Sequence, residues 1–277
     1  MTEVRKAYVA GKFYPGSQHE IYDLIEKIRA RELAKLNFNT MGKSIIGAVL
    51  PHAGHICSGY QVVHFFEALI NQRNQFDIFL ILHPVHRGGM PDYATDTNNY
   101  WSTPLGKLPL DIDFINEMDI PATEEIHKWE HSAEVLLPFI QYYNFEDKKI
   151  VPVGMCWQHP ESSKELATKI IKAAESTGKK PCILASSDFS HFVQPETGEK
   201  LDQKAIDKII SFDPEGLYKT IISNNISVCG YGPIMTLLYY SNGLEKKVKA
   251  EVLAKGHSGE VYPSDSVVDY VSMIFYI

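Results

Sequence analysis

Four short segments of this chain set histidines beside acids and hydroxyls: Pro51-His52-Ala53-Gly54, His83-Pro84-Val85-His86, Glu130-His131-Ser132-Ala133-Glu134 and Ser186-Ser187-Asp188-Phe189-Ser190-His191. A fifth, Val228-Cys229-Gly230, adds a thiol beside a glycine. Imidazole and thiolate together suit a borderline or soft metal such as iron, copper or zinc. Imidazole is also the side chain whose ordinary titration falls near neutrality, which suits a general acid or base.

Each candidate has a plainer alternative. Pro51 stops a strand and Gly54 allows a tight path, so His52 is held on a short, stiff loop of the kind a preorganised ligand needs. A single histidine at a strand end is more often structural. The same arrangement at His86 tips the pair toward metal. Cys229 lies at the mouth of a helix expected to begin near Pro233, where the helix N-terminus favours a thiolate; alternatively it is a small buried apolar residue. Asp188 either caps a short helix or orients a group while His191 moves protons. His131 and Glu134 share one helix face, which points at the site or leaves Glu134 in a capping box. His127 reads as surface, and His19, His64, His159 and His257 as ordinary. Ser186 and Ser187 are weak nucleophile candidates, because no G-x-S-x-G surrounds either.

Other function classes are disfavoured. Gly42-Lys43-Ser44 lacks the opening glycine of a phosphate-binding loop, since Asn37 holds that position, and no G-x-G-x-x-G follows a strand. The four cysteines form no C-x-x-C pair. A net charge of -7 argues against a nucleic-acid surface, and Lys148-Lys149, Lys179-Lys180 and Lys246-Lys247 read as solvated loop or helix-end charges. Met1-Thr2-Glu3-Val4-Arg5-Lys6 has no signal-peptide character, and no run reaches the roughly 18 apolar residues of a membrane span. A cytoplasmic protein with reduced cysteines is expected.

The elements that must position these residues follow from hydrophobic period. Strands are expected at 45–50, 76–82, 150–153, 182–185, 248–253 and 267–276, and helices at 18–35, 60–70, 131–143, 162–176, 201–211 and 232–241. With no linker or repeat in 277 residues, strands alternating with helices predict one α/β domain over 1–277, with a central, largely parallel or mixed sheet flanked by helices. Ligands bind beyond the carboxyl ends of such strands. His52, the pair His83 and His86, and Ser186 to Asp188 each follow one directly, so all would gather along one sheet edge.

Taken in order, these segments resemble the Memo family, whose prokaryotic members are associated with a radical-SAM protein. The resemblance begins at Ala10-Gly11-Lys12-Phe13-Tyr14-Pro15, runs through the histidine segments and Cys229-Gly230, and ends at Ser258-Gly259-Glu260 and Val267-Val268-Asp269-Tyr270. It implies a fold similar to the class III extradiol dioxygenases, a metal site of two His and one Cys matching His52, His86 and Cys229, and a lining Asp and His matching Asp188 and His191. It further implies iron or copper and redox activity, or an adaptor role in which the old pocket binds phosphotyrosine peptides. One segment departs from the family pattern. Where Gly-Pro and a small polar residue usually precede the second histidine, this chain has His83-Pro84-Val85-His86-Arg87, which brings an imidazole and a fixed positive charge to the site's edge.

The expectation is a metal-dependent oxidoreductase of unassigned substrate, with one divalent metal, iron or copper ahead of zinc. In it, His191 is the acid/base, oriented or supplemented by Asp188. Glu134 and His131 fix the imidazoles and line the substrate side with His83, and Arg87 holds an anionic group. The rivals are a non-catalytic module binding a small anionic ligand or peptide, and metal-assisted hydrolysis.

Overall fold

In the computed structural model, which describes residues 3–36 and 38–277, the chain runs β1 (Val4–Arg5), α1 (Gln18–Glu32), β2 (Ile45–Leu50), α2 (His55–Leu69), β3 (Ile78–Pro84), β4 (Tyr93–Thr95), β5 (Tyr100–Thr103), β6 (Gly106–Pro109), α3 (Ile112–Met118), α4 (Leu137–Tyr142), β7 (Lys149–Met155), α5 (Pro160–Thr177), β8 (Pro181–Ser186), β9 (His191–Val193), α6 (Pro195–Ile210), α7 (Pro214–Asn224), α8 (Tyr231–Gly243), β10 (Lys249–His257) and β11 (Val267–Tyr276). Met1 and Thr2, which opened the N-terminal reading, and Asn37, which excluded the phosphate loop, lie outside the described residues.

The main sheet has the order β10-β11-β2-β8-β3-β7-β4, with β9 pairing off β11. Its centre, β2-β8-β3-β7, is parallel, and β11 and β4 join it antiparallel. The sheet is therefore mixed with a parallel middle. Every residue of β3 and β8 is buried, which requires cover on both faces. Two helix groups supply it: α1, α2 and α4 pack together, as do α3, α5, α7 and α8.

The helices begin and end where their side chains dictate. Ser17 caps α1 by accepting from the Glu20 N–H, and Ile21, Ile25 and Ile28 form its buried stripe. Pro160 opens α5, and Gly178, left-handed at φ 67°, closes it. Among the described residues, no helix is long and apolar enough to cross a membrane.

Several elements differ from expectation. The segment expected to be helical from 131 is a loop followed by a 3-10 turn, Glu134–Leu136, and only then α4; Glu134 is drawn away by bonds described below. β1, β5 and β6 form a separate three-stranded sheet, and it, with β4, β9, α3 and α7, was not anticipated. The short strands have too few residues to show a period, and they alternate polar with apolar only once or twice.

Candidate metal centre

The sheet order explains how residues distant in sequence converge. β2, β8 and β3 are neighbours in space, with Leu50 level with Ser186 and Leu82 level with Ala185. The loops leaving their carboxyl ends carry His52, Asp188 and His86 side by side. The fourth contributor, Cys229, reaches them because Gly230 follows it: a Cβ at Gly230 would lie 2.2 Å from the Ser186 carbonyl oxygen. Only glycine lets this turn press so closely on the end of β8.

One ligand-type atom from each of His52, His86 and Cys229 lies within 4.8 Å of the others, and His52 Nε2 is 3.2 Å from Cys229 Sγ. The hydrogen bonds behind the imidazoles fix which nitrogen faces the site. Ser186 Oγ donates to the Ser132 carbonyl at 2.6 Å, so it has no proton left for His52 Nδ1 at 2.8 Å and must accept from it. His86 Nδ1 donates to Glu130 Oε1 at 3.0 Å. Both Nε2 lone pairs are thereby left for a metal, the arrangement that orients ligand histidines in known metal sites. Tetrahedral coordination at ordinary Zn–N and Zn–S lengths would separate nitrogen and sulfur by about 3.6 Å, so the donor set fits one ion with small adjustments.

Glu130 is the organiser of this cluster. Its Oε1 also accepts from the N–H groups of His131 and Ser132 and from Ser132 Oγ, and its Oε2 accepts from the His86 N–H. Burial alone would raise its pKa. The bond from His86 and that residue's charge outweigh burial and hold the carboxyl well below the usual range. His86 keeps a raised pKa for the reciprocal reason, against the pull of burial. It is 36% exposed and forms the open side of the site. His52, fully enclosed, is pushed far down by burial and then by the charges of His131 and His86.

Cys229 does not behave as a helix-stabilised thiolate. Burial, and then the charge of Asp188, push its thiol up. Cys229 is half-buried, and its Sγ accepts from the Asp188 N–H at 3.2 Å and lies 3.5 Å from the Asp188 carbonyl. Binding a metal here would therefore release the thiol proton.

Asp188 also has a role other than the expected one. Its Oδ1 accepts from the backbone N–H of His52 at 2.7 Å and of Ala53 at 3.3 Å. It pins the His52 loop to β8 and caps no helix. Burial raises its pKa to about 6 against those two bonds. His191 is oriented instead by Ser227, which accepts from His191 Nδ1 through its carbonyl at 2.8 Å and from the His191 N–H through Oγ at 2.7 Å. Among the described residues, His191 Nε2 has no hydrogen-bond partner.

His131 stacks on His86 with ring centroids 4.6 Å apart and against Phe13 at 4.3 Å. It stands beside the site, and burial lowers its pKa to about 4.

Three expected positions fall elsewhere. Glu134 is fully buried away from the imidazoles. It accepts from Arg5 Nη1 at 2.6 Å, the N–H groups of Tyr8 and Val9, and the Tyr14 hydroxyl, so it anchors the N-terminal segment that delivers Phe13 to His131. His83 is buried behind the site, not at its edge. Its Nδ1 lies 3.0 Å from Ser132 Oγ and its Nε2 3.3 Å from His127 Nδ1, because β3 carries it inside the sheet rather than onto the loop. His127, read as surface, is fully buried, with its Nδ1 against His83 Nε2 and its carbonyl accepting from Arg5. Arg87 is exposed on the turn after His86. His64 is no bystander either: it pairs with Glu32 at 3.1 Å, both buried.

The functional groups that sequence reasoning left without a role are Glu130, Ser132, Ser186 and Ser227. An acid immediately before His131 was the one available signal for Glu130; the serines act through contacts that only the folded loops create.

The sequence model of the Memo family, described as Memo-like protein, matches residues 5–274. A "MEMO1 family protein" of Archaeoglobus fulgidus is 36% identical over 277 residues, spanning 98% of this chain and 99% of its own. Another from Desulfurococcus amylolyticus is 36% identical over 284 residues, spanning 99% of both. The crystal structure of an uncharacterized Escherichia coli K12 protein superposes with a TM-score of 0.49 at 13% identity over 76% of this chain and 90% of that one, a likeness too distant to bear on function. With a family match over nearly its whole length and relatives above one-third identity, the chain belongs to the Memo family.

Proposed function

We propose that this protein is a metal-dependent oxidoreductase that holds one divalent metal, iron or copper in preference to zinc, through His52 Nε2, His86 Nε2 and Cys229 Sγ. The observation that carries the reading is the combination of these three donors within 4.8 Å with both Nδ1 atoms already committed to Ser186 and Glu130. Each imidazole is thus backed by a hydrogen-bond partner and has a third donor atom beside it, which is the arrangement ligand histidines use. When bound, such a metal would supply redox or Lewis-acid chemistry at the positions that three protein ligands leave open.

The remaining residues have defined tasks. His191, held by Ser227, presents Nε2 to take or return a substrate proton. Asp188 fixes the His52 loop, and its buried charge discourages the free thiolate until a cation arrives. His131 and Phe13 stand beside the site, while exposed Arg87 offers a bidentate cation to an anionic substrate entering past His86. A thiolate in place of a ligand carboxylate alters the metal's redox behaviour, so the dioxygenase-like site need not cleave catechols. Association with a radical-SAM protein is a further part of this reading and rests on family resemblance alone.

The test is oxygen consumption by anaerobically iron- or copper-loaded protein with ascorbate as reductant. The wild type should consume oxygen; Cys229→Ser should hold metal more weakly and consume none. A Cys229→Ser protein that keeps its metal in full would show the ligand set to be wrong. A wild type that is loaded yet inert toward oxygen would favour the hydrolytic or binding reading.

A further inference from the structure

The loop that carries Asp188 and His191 is gripped from behind by two aspartates outside the metal pocket. Ser190 donates to Asp202 Oδ1 of α6 from its N–H at 3.1 Å and its Oγ at 2.6 Å. On the other side, Phe189 N–H donates to the Asp269 carbonyl at 2.9 Å, and Asp269 N–H donates to the Ser190 carbonyl at 2.8 Å. One aspartate thus holds the loop by its side chain and the other by its backbone.

The two carboxyl groups line the same cavity on either side of Ser190. Asp202 is 4% and Asp269 7% exposed, and the charge of Asp202 acts on Asp269. Among the described residues, Asp269 Oδ2 is buried without any N–H or O–H partner. The close approach of α6 depends on Gly198, where a Cβ would lie 1.9 Å from Asp269 Oδ2. Lys255 of β10, the basic side chain whose charge is felt at Asp202, donates to Gln203 Oε1 instead. The other titratable groups around the adjacent 300 Å³ cavity are Glu196 and Glu199 of α6, Glu260, His257 of β10 and Tyr270 of β11. The balance of surrounding charge is acidic. Two buried carboxyls lining one cavity, with no cation bonded between them, cannot both ionise at moderate cost.

We propose that Asp202 and Asp269 share one proton and together act as positioning residues for the Asp188–His191 loop, which loosens when that proton leaves. With both groups ionised, repulsion drives α6 and β11 apart, and the loop loses the side-chain anchor on one flank or the backbone anchor on the other. Burial first, and then the charge of Asp202, raise Asp269 to about 8, which sets the transition on the alkaline side. The sign follows. Asp269 is protonated when folded and ionised when unfolded above its ordinary 3.8, so the unfolded state binds fewer protons; the contribution is full in acid and is lost as pH rises through about 8.

The bearing on catalysis rests on the oxidoreductase reading, but the test reads the loop itself and needs neither metal nor turnover. Amide hydrogen exchange of peptides covering 187–193 is followed by mass spectrometry on the full chain at pH 7 and pH 9, corrected for the base-catalysed rise in intrinsic rate. The wild-type loop should lose protection about tenfold, the shift expected one pH unit beyond a one-proton midpoint, while peptides from β3 keep theirs. Asp269→Asn, whose amide can donate to Asp202 and cannot titrate, should hold the loop equally at both pH values. If that variant does not fold, Asp202→Asn makes the same test with donor and acceptor exchanged. Unchanged wild-type protection at pH 9, or an asparagine variant that loosens as the wild type does, overturns the proposal.

Discussion

Replacing Glu134 by alanine separates the fold's structural acid from the acids of the site. Glu134 accepts from a buried guanidinium, two backbone N–H groups and a buried hydroxyl. The Arg5 and Glu134 side chains are 2% and 0% exposed. Removing one partner of such a pair leaves the other as an uncompensated buried charge, which costs about 3–5 kcal/mol. Arg5 retains its bonds to the carbonyl oxygens of His127 and Glu130, so a loss of about 4 kcal/mol is reasonable, rather than more. At the ~2–4 °C per kcal/mol typical of large domains, this lowers Tm by roughly 8–16 °C. Thermal and urea unfolding would measure it, and at low temperature the folded Glu134→Ala protein should still retain metal. A loss below about 1 kcal/mol, the range of ordinary surface changes, would refute the view that Glu134 anchors residues 5–14. Full stability with metal lost would return Glu134 to the site.

Glu130→Gln keeps the shape of the side chain but removes the charge behind His86, and it should weaken metal binding by about 10–100-fold with little change in the His52 half of the site. A competition titration with a chromophoric chelator would read this, and an unaltered affinity would detach Glu130 from the metal centre. Acid should destabilise the protein through its buried histidines. Burial lowers His55 to about 4; it also lowers His83 and His127 to about 3, aided by charge from His127 at His83 and from Arg5 at His127. All three stay neutral when folded while the unfolded chain takes up protons below 6.5, so their stability contribution is present above 6.5 and is lost as pH falls toward the folded values. Each contributes about 1.4 kcal/mol per pH unit, so urea midpoints should fall steeply from pH 7.5 to 5.5; equal midpoints would contradict the burial argument.

The parallel core was readable because its strands are apolar throughout and end abruptly in Pro51 or in the serines after Ala185. Helices with a clear stripe, such as α1 and α5, were readable for the same reason. The three-stranded sheet was not, since two- to four-residue strands such as Val4–Arg5 carry no measurable period. The edge on which the histidines gather followed from strand ends, but their division of labour did not. Glu130 and Glu134 sit four residues apart in one motif, yet one faces His86 and the other faces Arg5. That split is set by the loop replacing the expected first helical turn, which spacing rules assume to be helical. His83 and His86 diverge similarly: one is still inside β3, and the other has left it.

The most direct test of the metal centre is metal content by mass spectrometry on anaerobically purified protein, with the His52→Ala/His86→Ala double variant alongside. Near-stoichiometric iron or copper in the wild type, absent from a folded double variant, is the predicted result. No metal in either protein, even after reconstitution, or equal metal in both, would contradict the assignment of His52, His86 and Cys229 as a metal site.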